Sequence, residues 1–124
     1  MKTYQRKHTR IKYRQSVQLK TTDGLALSGR SENISTEGLE IVCDQVSAKA
    51  ILPLDYQRDP EKQLLLSAEL RLDDSGNMLN AVCCVKNIRR LSQDTFSLHL
   101  QFTTLKPQSQ QLLEQLVSKQ VNQA

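Results

Sequence analysis

The chain has 124 residues, of which 38% are hydrophobic and 24% charged, which is the size and composition of one folded domain. This composition excludes intrinsic disorder, and no stretch reaches the ~18 to 20 apolar residues of a membrane span. The basic N-terminus is followed by no apolar segment, so we expect no signal peptide, no membrane insertion and a cytoplasmic location.

Positive charge is concentrated at the N-terminus. Residues 1–20 hold seven basic residues and no acidic one, whereas the rest of the chain holds 10 basic and 13 acidic residues. A basic arm of this kind is typical of anion binding. We therefore predict a basic arm over residues 1–14, either a solvated tail or a binding element for phosphate or nucleic acid, attached to one domain over residues 15–124.

The three cysteines do not form a ligand or disulfide pattern. Their number is odd, and no C-x-x-C pair is joined by a second cysteine or histidine pair. Cys83 and Cys84 are adjacent, so on a strand they would face opposite sides. We predict small buried residues, with no disulfide framework and no metal site.

Short alternating runs predict strands through most of the chain. The first half contains strands near residues 16–20, 25–32 and 39–43, separated by turns at 22–24 and 33–38. Residues 48–61 predict an irregular connection with a strand fragment near 50–52. The second half contains strands near residues 66–72, 78–88 and 97–102, with turns at 74–77 and 92–94. His99 falls on the polar face of its strand, so we predict a surface residue.

The last segment changes from strand to helix periodicity. Its apolar residues lie along one helical face: Leu112, Leu113, Leu116, Val117 and Val121. Pro107 suits the first turn, where a missing amide hydrogen costs no helical hydrogen bond. We predict an amphipathic helix packed on a small antiparallel β-barrel, because closure removes exposed strand edges.

Two short motifs carry binding chemistry. Arg6 and Arg10 form R-x-x-x-R, and arginine presents a fork of donors that matches guanine O6 and N7 or phosphate oxygens. In N-x-S-x-x-G, Asn33 offers an acceptor and a donor, Ser35 adds a hydroxyl, and Gly38 permits a backbone conformation or close approach that a Cβ would block. Each motif alone is ordinary, since arginines four residues apart are common on charged surfaces and N-x-S-x-x-G is common in turns. Together they predict a site for a guanine nucleotide.

In these motifs the chain resembles PilZ domains, bacterial receptors for the second messenger cyclic di-GMP (c-di-GMP), whose signature is R-x-x-x-R and then [DN]-x-S-x-x-G about one hairpin later. The flanking apolar positions are similar too: Ile11, Leu39, Ile41, Val82, Val85 and residues 98–102. The resemblance implies an all-β, six-stranded antiparallel barrel with a C-terminal helix. It also implies that the arm over residues 1–14 is flexible without ligand. Arg6 and Arg10 would then close over the ligand, against a wall that Asn33, Ser35 and Gly38 shape.

Two positions depart from the commonest pattern of the family. Gln5 stands where many members have a further arginine that accompanies an intercalated ligand dimer, which favours one ligand molecule here. Asn33 stands where aspartate is frequent, so it lacks the negative charge that would face guanine N1 and N2. Secondary candidates for ligand contact are Gln5, Lys7, His8, Arg14 and Arg30.

Other functions remain as alternatives. No glycine-rich phosphate loop, no nucleophile with a base and no suitably spaced carboxylate pair supports an enzyme or a cofactor beyond the ligand. A basic barrel that binds RNA or single-stranded DNA is the main competitor, although few aromatic residues lie near the charge. A ligand-independent adaptor is the third. As a receptor, the domain would act on an unidentified protein that controls motility, exopolysaccharide or virulence.

Overall fold

The computed structural model describes residues 10–52, 64–72 and 76–122. Within these ranges there are seven strands: β1 Ile11–Lys12, β2 Ser16–Thr21, β3 Ala26–Ile34, β4 Gly38–Asp44, β5 Leu65–Arg71, β6 Met78–Arg90 and β7 Thr95–Leu105. Two helices complete the description, α1 Gln45–Ile51 and α2 Pro107–Asn122. Neither helix in these ranges is long and apolar enough to span a membrane.

Six of the strands close into an antiparallel barrel. The hydrogen-bonded order is β3-β2-β5-β6-β7-β4, and β4 pairs back to β3. Closure leaves no free edge among these six strands, which is the physical advantage of a barrel over an open sheet. The predicted fold class is therefore confirmed. β1 is an additional strand that pairs with the end of β3.

The barrel interior is filled by the alternate residues that the period of two predicted. Along β2, Val17 and Leu19 are buried while Gln18 and Lys20 are exposed. All six barrel strands and both helices contribute fully buried side chains: Val17, Leu19, Ile34, Leu39, Ile41, Ile51, Leu66, Leu70, Leu79, Leu98, Leu100 and Leu113. Each such side chain contributes roughly 1.5 to 3 kcal/mol of transfer free energy, so one continuous core holds the strands together.

Helix α2 packs on the barrel, as its apolar stripe predicted. Leu113 and Val117 belong to the main buried cluster, and Leu112 and Leu116 pack against it. Pro107 is the first helical residue, as expected. The side chain of Val121, the last member of the predicted stripe, lies outside the described residues.

The strand fragment predicted near residues 50–52 is wrong, because that part of the chain is helix α1. The helix begins after Asp44, whose carboxylate accepts a hydrogen bond from the Ser47 backbone amide at 2.8 Å. An aspartate in this position caps the free amides at the start of a helix. The helix buries Ala48 and Ile51. It has only seven residues, so helical periodicity has too little length to appear in the sequence. The remainder of the predicted connection, residues 53–61, lies outside the described residues.

The three cysteines are free and buried, which confirms their predicted structural role. Burial raises the pKa of the Cys43 thiol to about 11 and that of Cys83 to about 12. Because metals bind the thiolate form, these two thiols are poor ligands at neutral pH. In the part of the chain that the structure describes, no three His, Cys, Asp or Glu side chains come together as metal ligands.

Candidate functional site

Ser35 organises the turn between β3 and β4. Its backbone amide donates to the Gly38 carbonyl at 2.9 Å. Its hydroxyl oxygen accepts hydrogen bonds from the amides of Glu37 at 3.1 Å and Gly38 at 3.3 Å. The side chain is buried, so these are bonds that water would not easily replace. The serine of the second motif therefore sets the shape of the turn.

Gly38 is required because the backbone of β7 comes close to it. A Cβ built on Gly38 would collide with the Leu100 carbonyl oxygen and lie 3.2 Å from the Gln101 Cα. A left-handed backbone is not the reason for glycine at position 38. Among the described residues, the glycines with positive φ are Gly24 and Gly76. Of the two reasons that the sequence allowed for this glycine, the close approach is the one that applies.

A row of polar side chains crosses the outer face of the barrel beside this turn. Asn33 on β3 is paired with Glu40 on β4, and Glu40 is paired with His99 on β7. Directly paired residues in an antiparallel ladder share a face, and the neighbouring Leu39 and Leu98 face the core. We call Asn33, Glu40 and His99 the outer row. All three are half-buried.

The outer row contains a direct contact between two strands. The side-chain amide nitrogen of Asn33, Nδ2, donates to Oε2 of Glu40 at 3.3 Å. The Glu40 carboxylate thus contacts Asn33, the motif residue that is neutral here and often an aspartate in the family. Glu40 was not a candidate at the sequence level, because only strand register reveals that it faces Asn33.

Arg10 reaches the same outer row from the N-terminal arm. Its guanidinium Nη2 and the His99 Nε2 are 2.9 Å apart. Arginine has no acceptor, so the imidazole nitrogen accepts, which requires a neutral ring with its proton on Nδ1. His99 lies on the polar face as predicted, but it is half-buried and bound to Arg10. No sequence signal connects this strand to the arm.

The segment after Arg10 is fastened to β3, which positions the arginine. Ile11 pairs with Ile34, and Lys12 pairs with Asn33. The buried Ser31 hydroxyl accepts from the Gln15 amide at 2.9 Å and donates to the Tyr13 carbonyl at 2.5 Å. The Tyr13 hydroxyl also donates to the Arg71 carbonyl at 2.6 Å. These bonds bring Arg10 and the second motif to one face of the barrel.

The other candidates divide into two groups. The Arg14 guanidinium forms an ion pair with Glu32, with Nε and Oε2 separated by 3.1 Å, and an exposed pair of this kind is worth only about 0 to 1 kcal/mol. Arg30 is exposed on β3 and pairs with Ser16 and Val42 along the ladder. Four candidates lie outside the described residues: Gln5, Arg6, Lys7 and His8.

Comparison with known proteins identifies the family. The PilZ domain model matches residues 4–119, which confirms the resemblance. No curated protein matches the sequence significantly. Among solved structures, the PilZ domain of YcgR from Escherichia coli with c-di-GMP is similar, with a TM-score of 0.68 and 15% identity over 97% of this chain and 94% of that one.

Two longer proteins contain a similar fold. The inhibitor of motility MotI/DgrA of Bacillus subtilis has a TM-score of 0.70 and 19% identity, covering 97% of this chain and 53% of its own. The MrkH–c-di-GMP complex of K. pneumonia has a TM-score of 0.70 and 18% identity, covering 98% and 54%. This chain therefore spans about half the length of those two proteins.

Proposed function

Because the chain belongs to the PilZ domain family, we propose that it is a non-enzymatic receptor for c-di-GMP. The observation that carries the proposal is that Arg10 of the first motif contacts His99, in the outer row that also contains Asn33 of the second motif. A guanidinium fork beside amide and carboxylate acceptors suits a ligand that has phosphates and guanine edges. The similar structures of YcgR and MrkH with c-di-GMP support the choice of ligand.

In the proposed complex each motif residue has a separate task. Arg6 and Arg10 bind guanine and phosphate from the arm. Asn33 offers hydrogen bonds to a guanine edge. Ser35 and Gly38 act through the turn, because the serine hydroxyl is occupied by turn amides and the glycine admits the β7 backbone. The proposed stoichiometry is one ligand molecule, on the basis of Gln5.

The proposed switch is an ordering of the N-terminal arm over the ligand, which changes the surface shown to a protein partner. The arm was predicted to span residues 1–14. The pairing of β1 and the hydrogen bonds of Tyr13 and Gln15 anchor residues 11–15 to β3, so the proposed ordering concerns the part of the arm before β1. The ligand shifts the equilibrium towards the ordered arm only as far as it binds that state more tightly than the state without the ordered arm. Amide hydrogen exchange with and without c-di-GMP tests this step, and equal protection of the arm would overturn it.

Isothermal titration with c-di-GMP tests the receptor itself. We expect micromolar or tighter binding by the wild type and loss of binding in Arg10→Ala. Lys20→Ala is the control, because it also removes one positive charge, from an exposed position on β2 away from the outer row. Absence of heat with the folded wild type would overturn the proposal and favour a ligand-independent adaptor.

A parallel titration with oligonucleotides distinguishes the c-di-GMP receptor from a barrel that binds RNA or single-stranded DNA. A nucleic-acid barrel would bind with an affinity that falls steeply with salt, because phosphate contacts release counterions. We expect no saturable binding at physiological salt. Tight oligonucleotide binding without c-di-GMP binding would favour the alternative.

A further inference from the structure

Glu40 belongs to neither motif, yet it is the described hydrogen-bond partner of the Asn33 side chain. The two residues are directly opposite each other on β4 and β3, and Asn33 Nδ2 donates to Glu40 Oε2 at 3.3 Å. Both side chains are half-buried, so water competes less for this bond than it would on an open surface. The contact therefore constrains how the asparagine amide faces outward.

We propose that Glu40 is a positioning residue for guanine recognition: it holds the Asn33 amide nitrogen, so that Asn33 Oδ1 is presented to the guanine N1 and N2 donors. The inference rests on the proposed function and adds a specificity determinant to it. It also explains how a neutral asparagine can replace the aspartate that is frequent at position 33, because the Glu40 carboxylate lies on the next strand of the outer row.

The chemical reason is that an asparagine amide has two unlike ends. Nδ2 is a donor and Oδ1 is an acceptor, whereas both oxygens of an ionised aspartate accept. Guanine presents donors at N1 and N2 on its Watson–Crick edge, so an inverted amide would place a donor against donors. Inversion is opposed here because it would also bring Oδ1 against the Glu40 carboxylate, leaving two acceptors facing each other.

Basic residues flank Glu40 on both sides of the outer row. Arg10 is held at the next member, His99, and Lys12 is paired with Asn33 from β1. Glu40 therefore lies between a residue that contacts the arm, His99, and a residue that pairs with β1, Asn33.

A four-protein set tests the proposal: wild type, Glu40→Gln, Asn33→Asp and the double variant. Affinity is measured by titration with c-di-GMP and with cyclic di-inosine monophosphate, whose hypoxanthine bases keep N1–H and lack the N2 amino group. Glu69→Gln is the control, because it makes the same charge change at an exposed position on β5. Thermal denaturation confirms that every variant is folded.

We expect Glu40→Gln to weaken c-di-GMP binding about two- to fivefold. A glutamine amide can either accept from or donate to the Asn33 amide, so it no longer fixes that amide in one orientation. The preference for guanine over hypoxanthine should fall with it, because part of the Asn33 population is then inverted and places a donor against the N2 amino group. In the Asn33→Asp background the same change should strengthen binding, since a glutamine amide at position 40 can donate to the new carboxylate, which Glu40 would repel. The effect of Glu40→Gln therefore changes sign between the two backgrounds.

Other outcomes are equally informative. Equal loss of both ligands in both backgrounds would mean that Glu40 contributes only general charge or stability, and the proposal would fail while the receptor stands. Wild-type protein that binds neither cyclic dinucleotide would overturn the receptor and this inference together. If Glu40→Gln does not fold, the side-chain NH2 resonances of Asn33 in Glu40→Ala report the same bond, and unchanged resonances would reject it.

Discussion

Arg10 and His99, 89 positions apart in the chain, are joined by a 2.9 Å contact between a guanidinium nitrogen and Nε2 of the imidazole. The contact spans from the N-terminal arm to the strand on the far side of β4. The contact holds Arg10, an arginine of the first motif, beside the outer row. Holding a flexible side chain in place in advance lowers the entropy that binding must otherwise remove.

His99→Ala should weaken c-di-GMP binding about three- to tenfold, which corresponds to about 0.5 to 1.5 kcal/mol for one side chain that is no longer held. His99→Gln is the informative partner, because its side-chain carbonyl can still accept from Arg10. We expect the glutamine variant to retain more affinity than the alanine variant in isothermal titration. Equal affinities for wild type and His99→Ala would show that the contact does not prepare Arg10 for the ligand.

Gly38→Ala should destabilise the protein by about 1 to 3 kcal/mol, because the new methyl group must displace the β7 backbone. The site of the collision is the Leu100 carbonyl oxygen. Urea denaturation measures the loss of stability, and titration measures the accompanying loss of ligand affinity. Gly24→Ala is the comparison: its φ of +92° makes alanine strained, but there is open space around it. That variant should lose stability and keep its affinity.

Ser31→Ala should loosen the segment that carries Arg10. The buried Ser31 hydroxyl bonds to the Gln15 amide and the Tyr13 carbonyl, and the net loss of such a bond costs about 0.5 to 1.5 kcal/mol. We expect faster hydrogen exchange of the Gln15 amide and weaker ligand binding. Ser28→Ala, at an exposed position of the same strand, should change neither. Unaltered exchange at Gln15 in Ser31→Ala would contradict the expectation.

Asp44 should make the stability of the α1 region depend on pH. The hydrogen bond from the Ser47 backbone amide holds the pKa of the Asp44 carboxyl below its ordinary value of 3.8. A lowered pKa in the folded state stabilises the fold above the ordinary value, and that stability is lost as pH falls through the folded value. Asp44→Ala should therefore lower the Tm at pH 7, and the difference in Tm from the wild type should be smaller in acid.

Asp44→Asn separates the cap from the charge. Its side-chain carbonyl can still accept from the Ser47 amide, so we expect a Tm near that of the wild type at pH 7. It should lack the acid-dependent loss that Asp44 causes. Thermal denaturation of the three proteins at about pH 7 and about pH 3, on either side of the usual aspartate range, measures both effects. A constant difference between wild type and Asp44→Ala at the two pH values would exclude the titration.

Much of the fold was predictable because side-chain direction is a local property. The alternation of Leu66, Ala68 and Leu70 with polar residues predicts a strand whatever its neighbours are. Helix α2 was predictable for the same reason, since its stripe continues over several turns. Helix α1 was missed because it is too short for periodicity, although Asp44 and Ser47 stand at the spacing of an N-terminal cap.

The sequence by itself determined the period-two strands, the terminal helix, the basic arm and the two motifs, all of which depend on residues close together in the chain. Only the tertiary structure decided that Glu40 faces Asn33, that His99 receives Arg10, and that Gly38 is required by the Leu100 carbonyl. These relationships depend on how β3, β4 and β7 are aligned and on the bulge between Ser31 and Asn33. A shift of one residue in that alignment would turn every side chain of a strand to the opposite face, so neighbours across strands are a property of the closed barrel.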